Sequence, residues 1–106
     1  MKIRIYGNSI RLRLDGAELT ELVEKGRVRR LIRFGPGDQA TLAYSVETGD
    51  RGAPADADFR AGEIRLFVRA EEARRLEAGG EVSVEGERRI AGEAVLRVRI
   101  ERDFAP

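Results

Sequence analysis

The stretch Ile10-Arg11-Leu12-Arg13-Leu14 alternates apolar and guanidinium side chains without a break. A strand sends successive side chains to opposite faces, so this segment buries one face and wets the other when it is extended. Ile3 and Ile5 repeat the pattern among Lys2, Arg4 and Tyr6, and Gly7-Asn8 between the two runs suits a tight hairpin turn. The same period of two returns at Leu42, Tyr44 and Val46, at Ile64, Leu66 and Val68, and at Leu96, Val98 and Ile100. Val28, Leu31, Ile32 and Phe34 mark a strand over 27–34, and Val82 and Val84 begin another.

Helical periodicity interrupts this pattern twice. Asp15 has the character of an N-cap, and Glu18 three residues on completes a capping box. Leu19, Leu22 and Val23 then share one helical face, and Gly26 supplies a left-handed stop. A second short helix is expected over 70–78, with Ala73 and Leu76 inward and Gly79-Gly80 ending it. Between residues 49 and 62 Gly, Ala, Asp and Pro dominate and Phe59 alone is bulky, which reads as a long loop.

The chain of 106 residues suits a single domain over residues 1–106. Its halves match under a shift of 54: Ile10-Arg11-Leu12 falls on Ile64-Arg65-Leu66, Glu18 on Glu72, Leu22 on Leu76 and Gly26 on Gly80. An internal repeat of residues 9–34 and 63–87 accounts for this, although any two strand-helix-strand units share apolar and glycine positions. The expected fold is α+β: two similar β-α-β units, with two short helices against a mainly antiparallel sheet or a partly closed barrel.

Composition excludes much chemistry. The chain holds no cysteine and no histidine, so it offers no disulfide framework, no thiolate and none of the usual zinc ligand sets. Ser9, Ser45 and Ser83 have no imidazole to activate them, and neither Lys2 nor Lys25 stands in a recognisable motif. Gly35-Pro36-Gly37 and Gly79-Gly80 lack the helix and lysine of a phosphate-cradling loop and read as turns. Asp50, Asp56 and Asp58 form the best acidic cluster, but Arg60 falls where a calcium loop needs its third ligand, so a solvated loop is the better reading. No catalytic residue, metal ligand or cofactor is assigned, and the balance leans away from an enzyme. No apolar run reaches the ~20 residues that span a bilayer, and the N-terminus lacks a signal core, so a cytoplasmic protein without membrane partners is expected.

The distribution of charge carries more information than its total. Basic and acidic residues nearly cancel, 20 against 19, yet residues 1–14 contain four bases and no acid, and residues 27–34 likewise contain four bases and no acid. All the bases except Lys2 and Lys25 are arginine, which pairs bidentately with carboxylates and phosphates. In the first hairpin Lys2, Arg4, Arg11 and Arg13 lie opposite the apolar face, and in the last strand Arg97 and Arg99 do the same. If these strands share one sheet, its outer face is a block of cations able to hold anions. The blander account is that wet strand positions are often charged and that edge charges block aggregation.

The opening Lys2-Ile3-Arg4-Ile5-Tyr6-Gly7-Asn8-Ser9-Ile10-Arg11-Leu12-Arg13-Leu14, the Phe34-Gly35-Pro36-Gly37 turn and the closing Ile100-Glu101-Arg102-Asp103-Phe104 resemble a family of short bacterial proteins of unknown function. That resemblance implies a shared fold and no activity. Gly7, Asn8, Ser9, Arg13 and Leu14 also resemble the swapped-hairpin DNA-binding domains of AbrB/MazE-type regulators and antitoxins, with Asp15 in place of their proline. This second likeness covers about a quarter of the chain; it implies a homodimer that binds DNA near the hairpin through Arg11 and Arg13.

Three readings follow. The first is a non-catalytic interaction module whose partner is a protein or an anionic ligand. The second is a nucleic-acid-binding regulator using the arginine-rich hairpin. The third, least supported, is a carboxylate- or metal-dependent enzyme.

Overall fold

Neither helix joins two strands of the same sheet. The computed structural model describes residues 1–104 and contains two four-stranded sheets. The hairpin β1 (Lys2–Tyr6) and β2 (Ser9–Leu14) leads into α1 (Gly16–Lys25), which crosses to the hairpin β3 (Arg27–Arg33) and β4 (Thr41–Thr48) of the other sheet. The hairpin β5 (Ala55–Arg60) and β6 (Glu63–Val68) then leads into α2 (Ala70–Ala78), which crosses back to β7 (Ser83–Ala91) and β8 (Ala94–Arg102). The first sheet has the order β1-β2-β8-β7 and the second β3-β4-β6-β5. Each is mixed: the hairpins are antiparallel, and the central pairs β2–β8 and β4–β6 are parallel. All four hairpin connections therefore gather at one end of the molecule and both helices at the other.

The registers of the two sheets coincide under the same shift of 54. Ser9 faces Arg97 across β2–β8, and Glu63 faces Ala43 across β6–β4. Lys2 faces Arg13, and Asp56 faces Phe67. Only β7 departs. Val28 faces Val46, but Val84 rather than Val82 faces Ile100, so β7 is displaced by two residues and keeps its faces.

Local chemistry explains the helix ends. The Asp15 carboxylate accepts from the Glu18 N–H at 2.8 Å, and the Glu18 carboxylate accepts from the Asp15 N–H at 3.0 Å, completing the capping box. Gly26 closes α1 at φ 80°, where its N–H donates to the Leu22 carbonyl at 2.8 Å. The core lies between the sheets and under the helices. Leu12, Leu14, Leu22 and Val46 from the first half meet Leu66, Val68, Leu76 and Ile100 from the second, all fully buried. Each such side chain contributes roughly 1.5–3 kcal/mol by leaving water.

One expectation needs correction. Residues 49–62 are not one loop, because β5 occupies 55–60. Its inward residues are Ala55 and Ala57, whose small side chains give no conspicuous strand signal. The α+β fold is as expected, its two sheets mainly antiparallel and not closed into a barrel. The edge strands β5 and β7 approach each other, but among the described residues the Arg88 side chain joins them, bonding Asp56 and the Ala57 carbonyl, with no backbone ladder between them.

Candidate anion-binding face

The registers lay the wet side of the first sheet out as a grid. One row across β1, β2, β8 and β7 is Arg4, Arg11, Arg99, Glu85. The row toward the helices is Lys2, Arg13, Glu101, Ser83, and the row toward the hairpin turns is Tyr6, Ser9, Arg97, Glu87. The structure thus brings Lys2, Arg4, Arg11, Arg13, Arg97 and Arg99 onto one face. The hairpin is pinned there by its turn: the Asn8 side chain donates to the Val95 carbonyl at 2.8 Å, and the Arg97 N–H donates to the Asn8 carbonyl at 3.1 Å.

Acids missing from the sequence reading organise these cations. Glu101, nearly buried, sits among Arg13 at 3.0 Å and Arg11 and Arg99 at 3.4 Å. Glu85 pairs with Arg99 and Glu87 with Arg97, each at 3.0 Å, and Asp103 takes Lys2 at 3.0 Å. The signal for the two β7 acids was present as the alternation Val84-Glu85-Gly86-Glu87, but which strand lies beside β8 is not a local property. Arg4 forms no ion pair among the described residues. The Arg99 Nε–H is buried and makes no hydrogen bond, its nearest acid oxygen being Glu101 Oε2 at 3.4 Å.

The corresponding face of the second sheet shows what full neutralisation looks like. The counterpart of Arg4 under the shift of 54 is Asp58, and that of Arg11 is Arg65. Asp58 and Arg65 face each other and form a bidentate pair at 2.7 and 2.5 Å. The Arg65 hydrogen bonds hold the Asp58 carboxyl below its ordinary range, against the opposing effect of burial. Burial also works against ionisation of Glu63, but the Ser45 hydroxyl at 2.6 Å and the guanidinium groups of Arg27 and Arg29 outweigh it and lower its pKa. Arg51 covers Phe67 at 4.1 Å from the ring centroid, so the loop before β5 folds over this face. The acids singled out in sequence do not converge: Asp50 bonds Arg69, Asp56 bonds Arg88 and Asp58 bonds Arg65.

On the first sheet a shallow concavity of about 440 Å³ remains open over Arg4, Tyr6, Arg11, Arg97 and Arg99. Tyr6 is 84% exposed at its edge. Such a site can donate several charge-assisted hydrogen bonds and offer one ring for stacking, but it presents no nucleophile beside a base.

Residues 1–106 match the model of a family of unknown function (DUF7009). No curated protein and no solved structure matches the chain. Among the described residues, no helix is long and apolar enough to cross a membrane.

Proposed function

We propose, for a chain that belongs to this family of unknown function, that the outer face of the first sheet is a non-catalytic binding site for a small phosphate-bearing ligand. The observation that carries the reading is the direct cross-strand pairing of Arg4 with Arg11, continued by Arg99. Like charges facing each other on neighbouring strands are destabilising. The second sheet has Asp58 at the position equivalent to Arg4, and the first leaves the extra cation unpaired. A phosphate bound over Arg4 and Arg11 relieves that repulsion. Glu85 and Glu87 fence the site along β7, which favours a compact anion over a long polyanion lying across the sheet.

A nucleic-acid reading draws on one observation of its own. The first sheet is assembled from the first hairpin of the chain and the last, with the arginine-rich hairpin at its edge. The difficulty of this reading is that Arg11 and Arg13, the residues named by the resemblance to AbrB/MazE-type regulators, both share Glu101. The cytoplasmic setting, the single domain with an internal repeat and the absence of an enzymatic role belong to this proposal as expectations.

The test is calorimetric titration with inorganic phosphate and pyrophosphate, and with labelled duplex DNA, single-stranded DNA and RNA at low and high salt. The comparison is the variant Arg4→Gln with Arg11→Gln. Saturable pyrophosphate binding lost in the variant supports the small-ligand site. Tight, steeply salt-dependent binding of a polynucleotide lost in the variant replaces it with the regulator reading. Failure of every anion to bind at low salt removes both.

A further inference from the structure

A second concavity lies elsewhere, between the two sheets at the end that carries the hairpin connections. Its volume is about 390 Å³. Ile10 on β2 and Leu96 on β8 form one wall, and Ile64 on β6 and Phe59 on β5 form the other, with Ala57 beneath. Ile10, Ile64 and Leu96 pack on the buried core, so the chamber continues the core outward. Phe59 is 66% exposed at its rim, an unusual state for a large apolar side chain that points between two sheets. The end of the molecule opposite the helices is therefore an open apolar mouth.

One cation stands among these carbon walls. Arg88 on β7 lines the chamber, and its guanidinium is held rigidly from one side: Nε donates to Asp56 at 3.1 Å and Nη2 to the Ala57 carbonyl at 2.6 Å. Its Nη1 makes no hydrogen bond among the described residues. The other polar residue of the lining, Asp58, has its oxygens engaged by Arg65 and Arg51 on the outer face. An apolar pocket with one fixed, half-used guanidinium at its mouth is complementary to a molecule with a hydrocarbon body and a single anionic head.

We infer that this chamber binds a short-chain amphiphilic carboxylate, of the fatty-acid class, with its chain between Ile10, Phe59, Ile64 and Leu96 and its carboxylate accepting from Arg88 Nη1. The Arg88 side chain is 47% exposed, so the head group sits at the wet rim, where water screens it from Asp56. Asp56, almost wholly buried, fixes the guanidinium plane and so orients it in advance for the second carboxylate. The site is separate from the outer face of the first sheet and does not depend on the anion proposed there.

The probe is octanoate, titrated calorimetrically and followed by amide chemical shifts. The expected result is saturable binding of one octanoate per chain, with shifts at residues 10, 57–59, 64, 88 and 96. Excess inorganic phosphate should not displace it. Leu96→Trp, which fills the chamber, should abolish binding. Arg88→Met alone strands the buried Asp56 carboxylate and can unfold the edge, so the informative variant is Arg88→Met with Asp56→Asn, which removes both charges together. That double variant, shown folded by its amide spectrum, should bind octanoate at least tenfold more weakly. The inference is overturned if octanoate does not bind saturably, if Leu96→Trp binds it as the wild type does, if phosphate displaces it, or if the folded double variant retains full affinity.

Discussion

Gly86 of β7 packs directly on the backbone of Ala55 in β5: a β-carbon placed on Gly86 would lie 2.8 Å from the Ala55 carbonyl carbon and closer still to its oxygen. At this contact the two sheets touch backbone to backbone, and Arg88 two residues on ties the same strands together. Neither backbone can retreat easily, because Val84 and Ala55 on either side are buried in the core. Gly86→Ala should therefore cost more than about 4 kcal/mol, beyond the range of an ordinary substitution. Gly80→Ala is the control, since a β-carbon there meets nothing nearer than 3.8 Å and its backbone is not left-handed. Urea denaturation of both variants checks the contrast, and equal midpoints would mean that the sheets are not in contact at this seam.

Arg4 tests the electrostatics of the outer face. Facing Arg11 without an acid of its own, it should destabilise the free protein and matter only when an anion is bound. Arg4→Glu reproduces the pairing seen between Asp58 and Arg65 and should raise stability by about 0.2–1 kcal/mol at low ionic strength. The gain should fade as salt screens the pair, while phosphate binding should be lost at every salt concentration. A variant that is no more stable than the wild type at low salt would show that water already relieves the Arg4–Arg11 repulsion.

What was legible in the sequence was local. Asp15, Glu18 and Gly26 define α1 because capping acts over three or four residues, and the wet face of β1 and β2 follows from strict alternation. β5 was not legible, because its inward residues are Ala55 and Ala57 and its composition is that of a loop. Its alanines make sense only beside Gly86, a contact 31 positions along the chain. That Lys2, Arg4, Arg11, Arg13, Arg97 and Arg99 share one face follows from the same alternation. The neutralisation of that face by Glu85 and Glu87 was not legible, because that depends on β7 pairing with β8 at a shifted register. The apolar mouth was equally hidden, since Ile10 and Leu96 of one sheet meet Phe59 and Ile64 of the other only in the assembled fold.

Asp58 links the second sheet to pH. Its carboxyl is lowered in the folded state by the Arg65 hydrogen bonds, so the stability it contributes is present above the unfolded carboxylate pKa and is lost as pH falls through the folded value. Asp58→Asn should be less stable than the wild type by about 1–2 kcal/mol at neutral pH, the scale of a charged hydrogen-bonded pair. The difference should begin to shrink below about pH 4, where the unfolded carboxylate takes up its proton, and vanish only once pH has fallen through the lower folded value. Denaturation midpoints across that range would show the two curves converging; parallel curves would place the effect in packing rather than charge.

Glu72 should behave in the opposite sense. Its pKa is raised chiefly by a hydrogen bond shared with Glu81, then by burial and by the Glu81 charge, and Arg75 at 3.0 Å only partly offsets this. A carboxyl whose folded pKa lies above its unfolded value stabilises the fold while protonated, and that contribution disappears as pH rises through the folded value. At neutral pH, then, Glu72 and Glu81 repel each other across the α2–β7 connection. Glu72→Gln keeps the hydrogen-bonding group and removes one charge, and Arg75 retains Glu81 at 3.7 Å. The variant should be more stable than the wild type at pH 7 and indistinguishable from it in acid, the reverse of the trend for Asp58→Asn. A loss of stability at pH 7 would mean that the Arg75 pair outweighs the repulsion.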